Sequence, residues 1–391
     1  MYSHFFAPSV GGVETVVLSL ARGLSELRSD AGTKEFEVTV VTQTPAKEFS
    51  DAALPYRIVR QPSIALLAKL IRGADVVHAA GPALAPLILG FLTRKPVVVE
   101  HHGYQAVCLN GILLHQPDRK ICPGHFQAGG YSECMRCQAS EISRLRSWIN
   151  LSLMFPRNFI VRRAAANIAV THYVEKRLAL PRSSVVYHGI EEPLARAATQ
   201  PSAGKAAGRI CFACVGRLVR EKGLPVLLEA AGQLREAGYD FELLLIGDGP
   251  ERPQLEAHIA RERLGDFVRV TGYLTGEAFA AVLENVRVVV MPSIWEETAG
   301  LAAIEQMMRG KLVIASEIGG LGEVVGEAAL RFPAGEAAAL AGCMRKVLQD
   351  PALIDTLGLR ARQRAVALFS RGRMLEGHAG IYKEALRKTK G

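Results

Sequence analysis

No segment of the 391-residue chain reaches the ~18 consecutive apolar residues that a membrane-spanning helix needs. The best run, ALAPLILGFL at 83–92, is too short and is broken by Pro86, and the start carries no secretory signal pattern. The seven cysteines are an odd number in a large chain, which argues against a secreted disulfide framework and predicts a reducing, cytoplasmic setting. A dinucleotide-type GxGxxG is also lacking. Gly247 and Gly249 in GDGP come in a later turn without the third glycine, so NAD is poorly supported and the pair reads as plain turn residues. No Asp-x-Asp pair ends a strand, so no divalent cation is expected at a phosphate site, and nucleic acid is not among the expected partners.

What is present suffices for large cores. Hydrophobic residues make up 49% of the chain, and its length suggests two domains. The net charge of +9 is unevenly spread: residues 1–190 hold 21 of the 47 Lys and Arg but only 13 of the 38 Asp and Glu. The first half therefore faces something anionic, a membrane surface or a phosphorylated ligand, unless this is an ordinary basic surface.

Short β-branched runs alternate with helical stretches, the mark of parallel α/β sheets. Candidate strands are EVTVVTQ (37–43), DVVHAA (75–80), PVVVEH (96–101), ANIAVT (166–171) and SVVYHG (184–189). A second series follows: RICFACVGR (209–217), FELLLIG (241–247), FVRVTG (267–272), VRVVVMP (286–292) and KLVIAS (311–316). The Ala-, Gly- and Pro-rich stretch 193–208 reads as a linker. Two doubly wound, Rossmann-like domains facing a cleft are expected, 1–192 and 209–370, with a closing helix over 371–391 that returns to the first domain. Only a few residues precede the Gly11-Gly12 turn, so the first strand of the N-terminal domain is expected to be short or missing.

Ligands in such sheets bind beyond the carboxyl ends of the strands. In GRLVREKG (216–223), Arg217 and Lys222 emerge there beside a helix N-terminus and suit a diphosphate; the alternative is a solvated basic loop. In PSIWEETAGLAAIEQMMRGK (292–311), Glu297 precedes a helix expected from Ala299 to Arg309, and Glu305 lies within it. Thr298, Ala299 and Gly300 are small enough for an anion to approach that N-terminus, and a carboxylate can accept hydrogen bonds from a diol. The alternative is a helix with one paired core glutamate.

These motifs, with PSVGGVE, DVVH, VVVEHHGYQAVC and VVYHGIEE in the first half and FSRGRMLEGHAGIYKEAL near the end, resemble the GT-B glycosyltransferases of family 4, retaining enzymes that use nucleotide-sugar donors. The resemblance implies that Arg217 and Lys222 hold the donor diphosphate, Glu305 the ribose and Glu297 the transferred sugar. It places Gly12 and the turn Thr298, Ala299, Gly300 and Leu301 against the donor, and Val270, Gly272 and Tyr273 around the base. His102 matches the histidine that reaches the sugar, with His101 a second candidate because Gly103 replaces the family's acidic residue. His78 ends its strand where the family has His-x-His, but Ala80 replaces the second histidine. Thr-Ala-Gly after Glu297 stands where many members have an aromatic between glycines.

The loop 104–140 holds Cys108, Cys122, Cys134 and Cys137, which read either as a structural zinc site or loop staple, with His115 and His125 as competing ligands, or as unliganded thiols. Cys211 and Cys214 read as core residues. SRLRSWINLSLMFPRNFIVRRAA (143–165) mixes arginines with Trp148, Met154, Phe155 and Phe159, fitting either an interfacial helix on anionic lipid or an amphipathic core helix.

The expected function is a retaining, metal-independent hexosyltransferase acting from a nucleotide-diphosphate sugar, requiring no cofactor. Its acceptor would be a glycan or lipid-linked glycan in cell-surface polysaccharide or glycolipid synthesis, at the inner face of the membrane. The rivals are a nucleotide-sugar 2-epimerase and a non-catalytic nucleotide-sugar-binding protein.

Overall fold

A computed structural model describes residues 1–9, 11–29, 31–47, 49–192 and 209–390; the expected linker 193–208 lies outside them. The chain divides into two compact units, Met1–Glu191 with Phe369–Gly391, and Glu192–Leu368.

The first unit holds strands β1 (Tyr2–Ser3), β2 (Thr39–Thr42), β3 (Arg57–Arg60), β4 (Val77–Ala80) and β5 (Val97–His101). A short antiparallel pair follows, β6 (Leu114–His115) and β7 (Lys120–Ile121), then β8 (Ala166–Ala169) and β9 (Ser183–Val185). All but the antiparallel pair form one parallel sheet in the order β3-β2-β1-β4-β5-β8-β9. The first strand has only two residues yet lies inside the sheet, with Tyr2 beside Val41 and Ala79. Its hold is extended by Met1, whose ammonium donates to the Thr39 carbonyl at 2.7 Å and whose carbonyl accepts from the Val41 amide at 2.8 Å.

Two strands differ from expectation. RIVR at 57–60 forms β3, hidden in the sequence because arginines flank only two apolar residues at the sheet edge. SVVYHG stops being a strand at Val185 because the chain leaves the sheet to meet the C-terminal segment. There Ile190 bridges Ser370, and a Cβ on Gly189 would fall 2.6 Å from the Ser370 carbonyl. The helix Arg371–Lys390 packs on Gly12–Glu26, where Gly23 leaves room for Leu375.

The second unit holds β10 (Ile210–Val215), β11 (Phe241–Ile246), β12 (Val268–Gly272), β13 (Val288–Met291), β14 (Leu312–Ser316) and β15 (Leu330–Phe332), ordered β12-β11-β10-β13-β14-β15 and parallel throughout. Strands sealed on both faces need continuous apolar runs, and β13 and β14 are buried at every residue. Phe212, Phe241, Leu227, Leu228 and Met344 fill the core between sheet and helices.

At this sheet's carboxyl edge the turns touch backbone to backbone. The Leu218 amide donates to the Asp248 carbonyl at 2.9 Å and the Gly247 amide to the Gly272 carbonyl at 3.0 Å. Gly247, at φ +146, has the Gly216 carbonyl oxygen 1.8 Å from where a Cβ would stand. Gly247→Ala is expected to cost at least about 2 kcal/mol, read as a lower urea midpoint with an unchanged slope. Gly232→Ala, in the helix Leu224–Glu236 with open space around it, is expected to stabilise by up to about 1 kcal/mol.

Candidate functional site

The order of each sheet has a switch point, where connections leave in opposite directions and a crevice opens beyond the strand ends. In the second unit it lies between β10 and β13, and the turns after these two strands carry most of the expected donor residues. The turn after β10 places Arg217 in the open and ends in the 3-10 turn Arg220–Lys222. Gly223 then adopts φ +67, with the Pro292 carbonyl 2.0 Å from where its Cβ would stand. The Ile294 amide donates to the Glu221 carbonyl at 3.0 Å. The two turns are thereby locked together.

That lock brings Lys222 to Glu297: Nζ lies 2.7 Å from Oε1. The Ser293 hydroxyl donates to the same oxygen. Glu297 is only 4% exposed. Burial pushes its carboxyl up, but the Lys222 ammonium, with Ser293 and Trp295, more than offsets this and holds it below the usual range. On the far side, the Gly320 amide donates to the Glu297 carbonyl at 2.6 Å.

The helix itself runs Leu301–Met308, two residues shorter at its start than expected because Gly300 takes φ +64 as its N-cap. Thr298 and Ala299 are buried in the approach and Leu301 is half-buried. The first amides of the helix have no intrahelical acceptor, and its positive pole points out of this turn. One turn in, Glu305 is half-buried, and among the described residues no hydrogen bond or ion pair to its carboxylate is found. Burial pushes this carboxyl above the usual range, against the pull of Arg309. The two glutamates therefore differ: Glu297 is paired with a cation, whereas among the described residues none forms a hydrogen bond or ion pair with the Glu305 carboxylate. At the end of β12 the ladder slips one residue, Val270 pairing with Leu245 but Gly272 with Ile246. Gly272 turns at φ +77, and Tyr273 stands exposed beyond it.

The first unit holds Gly12 and His102. Gly12 opens the helix Gly12–Glu26, and the Glu14 carboxylate folds back over Gly11 at its N-terminus, where the helix dipole favours an anion. His102 Nδ1 is 3.1 Å from His188 Nε2, and its Nε2 is 3.5 Å from Glu100 Oε2. Burial lowers the His102 pKa, while Glu100 and Glu14 act against that. His101 is enclosed instead: its Nε2 bonds Asn167 Oδ1 at 2.9 Å, and burial lowers its pKa to about 4. His78 is likewise buried, beside Glu100.

Burial, and then the neighbouring thiols of Cys108, Cys122 and Cys137, push the Cys134 thiol up to about 12. Among the described residues, the groups whose His, Cys, Asp and Glu ligand atoms all lie within 4.8 Å are His78/Glu100/His378, Glu100/His102/His188 and His115/His125/Glu133. Around Asn110 the thiols have other partners: Cys108 Sγ donates to Asn110 Oδ1, and Cys137 Sγ accepts from the Gln116 amide. Cys211 and Cys214 are buried on β10, and burial pushes both thiols up. Sequence reasoning passed over Ser293, Glu14, Glu100, His188 and His378. Glu100 alone left a signal, a single acid in an otherwise apolar strand.

Two family descriptions match the chain side by side: Glycosyltransferase Family 4 over residues 10–192 and Glycosyl transferases group 1 over residues 196–364. Among curated proteins, the 2-deoxystreptamine glucosyltransferase of Streptomyces kanamyceticus is 40% identical over 140 residues, 35% of this chain and 36% of that one. The glycogen synthase of Mycobacterium tuberculosis is 32% identical over 175 residues, 44% and 42% of the two chains. The match thus spans less than half the length of these relatives. Among solved structures, a glycosyltransferase from Rickettsia africae superposes with TM-score 0.71 at 19% identity, over 98% of this chain and 97% of that one. HepE of Anabaena, in complex with UDP and glucose, gives 0.69 at 17%, covering 97% of each. The fold is GT-B.

Lys222→Met would leave Glu297 buried without its cation, at an expected cost of about 3 kcal/mol near neutral pH. A carboxyl held low by a partner stabilises the fold above its unfolded pKa, and this is lost as pH falls through the folded value. In the variant that carboxyl protonates readily, so its deficit against wild type, measured by urea unfolding, should shrink steadily below about pH 5.

Proposed function

We propose, on the premise that its two halves match adjoining glycosyltransferase family descriptions, that this chain is a glycosyltransferase. In this reading it moves a hexose from a nucleotide-diphosphate sugar to a glycan or lipid-linked acceptor, with retention and without a catalytic metal. The observation that carries it is the contrast at one helix N-terminus: Glu297 is paired with Lys222, while the half-buried Glu305 carboxylate has no hydrogen bond or ion pair among the described residues. An unmatched carboxylate one turn inside a phosphate-binding helix suits the two hydroxyls of a ribose.

The residues then divide the work. Arg217, Lys222 and the amides at 298–301 hold the diphosphate, while Val270, Gly272 and Tyr273 border the base. When the C1–O bond breaks, the electron pair stays on the phosphate, and fixed cations and helix amides stabilise that charge as it develops. Positive charge supplied in this way does the work that a divalent ion does elsewhere. The incoming diphosphate competes for Lys222, freeing Glu297 to accept from sugar hydroxyls. The acceptor hydroxyl attacks on the face the phosphate leaves, and its proton passes to a departing phosphate oxygen, so the anomeric configuration is kept.

An anionic membrane as the acceptor's setting is supported by the helix Arg144–Val161, which exposes Leu145, Trp148, Ile149 and Phe159 among arginines. The Arg163 guanidinium lies 3.6 Å from the Phe159 ring centre. Basic and aromatic groups together favour the interface of anionic lipid. No helix among the described residues is long and apolar enough to cross a membrane.

A thermal-shift screen of UDP-, GDP- and ADP-sugars should reveal one stabilising donor. For that donor, Lys222→Ala, Arg217→Ala and Glu305→Ala should each weaken binding about 10- to 100-fold by calorimetry, as loss of a charged hydrogen bond does, while Cys134→Ala should not. Wild-type affinity in both Lys222→Ala and Glu305→Ala rejects the assignment. Donor turnover without any acceptor would instead indicate an epimerase, and affinity without turnover a binding protein.

Glu305 makes a separable test. A carboxyl whose pKa is raised by folding destabilises the fold at every pH above that value and not below the unfolded one. Glu305→Gln should therefore raise the Tm of the ligand-free protein at neutral pH while weakening donor binding, with the Tm gain vanishing below about pH 4. For the membrane, wild type should float with phosphatidylglycerol vesicles and not with phosphatidylcholine ones, and Trp148→Glu should abolish flotation.

A further inference from the structure

Glu100 on β5 is fully buried, and three imidazoles converge on its Oε2. His78 Nε2 and His378 Nε2 each stand 3.3 Å away and His102 Nε2 3.5 Å, while His188 Nε2 lies 3.9 Å from Oε1. Among the described residues, neither oxygen of Glu100 has a hydrogen-bond partner, and neither does Nε2 of His78 or of His378, although all are sealed from water. Buried polar atoms left in this way are costly and rare.

The far nitrogens of these two histidines are committed. His378 Nδ1 lies 2.8 Å from the Met374 carbonyl, to which it can only donate. His78 Nδ1 lies 2.9 Å from the Tyr382 hydroxyl. An imidazole that donates from Nδ1 presents a lone pair at Nε2 unless it carries a second proton. In His378 that lone pair would face the carboxylate. The spacing fits a shared cation better than a hydrogen bond. Nitrogen and oxygen ligands 2.0–2.1 Å from a tetrahedral zinc ion stand about 3.3–3.4 Å from each other. A charge-assisted N–H···O contact closes to about 2.7–2.9 Å. An outer carbonyl partner on a ligating histidine is also the usual support of a metal site.

We propose that His78, Glu100 and His378 hold a divalent transition metal, with zinc the ion their two nitrogens and one carboxylate oxygen suit. The ligands come from β4, β5 and the helix Arg371–Lys390, all within the first unit. The ion ties the end of the chain to the sheet formed near its beginning, so its binding energy adds to the stability of the fold. It is a centre within the first unit, and it stands whether or not the chain transfers a sugar.

The full chain, stripped with a chelator and then given zinc or cobalt(II) alone, is expected to retain one equivalent through gel filtration and to melt at a higher temperature. Tyr382→Phe should weaken metal affinity about 10- to 100-fold, as loss of an outer partner does. His78→Ala and His378→Ala should weaken it further. The cobalt form should show the weak visible bands of a histidine–carboxylate set with no intense thiolate charge-transfer band. Failure to retain an equivalent overturns the proposal. So does a thiolate band, which would put the ion among Cys108, Cys122, Cys134 and Cys137. Full retention by both alanine variants overturns it as well, as a site at His115, His125 and Glu133 would give. Should the alanine variants lose their far-UV circular dichroism, His378→Gln and the cobalt spectrum of the wild type decide the matter.

Discussion

Backbone contact between turns at the carboxyl edge of the second sheet is the constraint on which the candidate site rests. Gly223 lies against the Pro292 carbonyl, Gly247 against Gly216, Gly249 against Leu218 and Gly319 against Glu297, each closer than any Cβ permits. Four adjacent turns are held at fixed separation by atoms that cannot yield, and packed matter of this kind transmits position rather than absorbing it. Lys222 meets Glu297 because the turns bearing them cannot separate. The helix Leu301–Met308 opens where it does because Gly300 takes a conformation that other residues resist.

Three buried or half-buried carboxylates give the molecule its chemical character, and each is treated differently. Glu297 is ion-paired and hydrogen-bonded, so its charge is stabilised in the absence of ligand. Glu305 has no hydrogen bond or ion pair to its carboxylate among the described residues, a cost to the fold that a ligand with hydroxyl donors would offset. Glu100 is fully buried and has four imidazole nitrogens within 4 Å of its oxygens. Proteins keep groups of this kind where charge is used, so these three mark where the molecule departs from mere packing.

Much of the architecture was legible in sequence because parallel strands sealed on both faces must be written as apolar runs. VVVE, FELLLI and VVVM could hardly be anything else. The strand RIVR escaped because an edge strand needs only half such a pattern. The end of β9 escaped because a contact with Ser370, from the far end of the chain, decides it. At the site, Arg217, Lys222, Glu297 and Glu305 stood out by type and spacing beside strand ends. Their pairing did not: no spacing rule relates residue 222 to residue 297. His101 and His102, adjacent in sequence, were separable only once the sheet turned one to Asn167 and the other to His188 and Glu100.

The sequence by itself determined the class of fold, the two series of strands and the residue types that could meet a nucleotide sugar, because periodicity and turn chemistry are local properties of the chain. Only the tertiary structure decided which charges are matched. A carboxylate's partner is chosen by whatever the fold brings within about 4 Å of it, and Coulomb energy at that range depends on burial as much as on charge. Lys222 for Glu297, and a ring of histidines from both ends of the chain for Glu100, are long-range facts. They exist only when the sheets are closed and the last helix is in place.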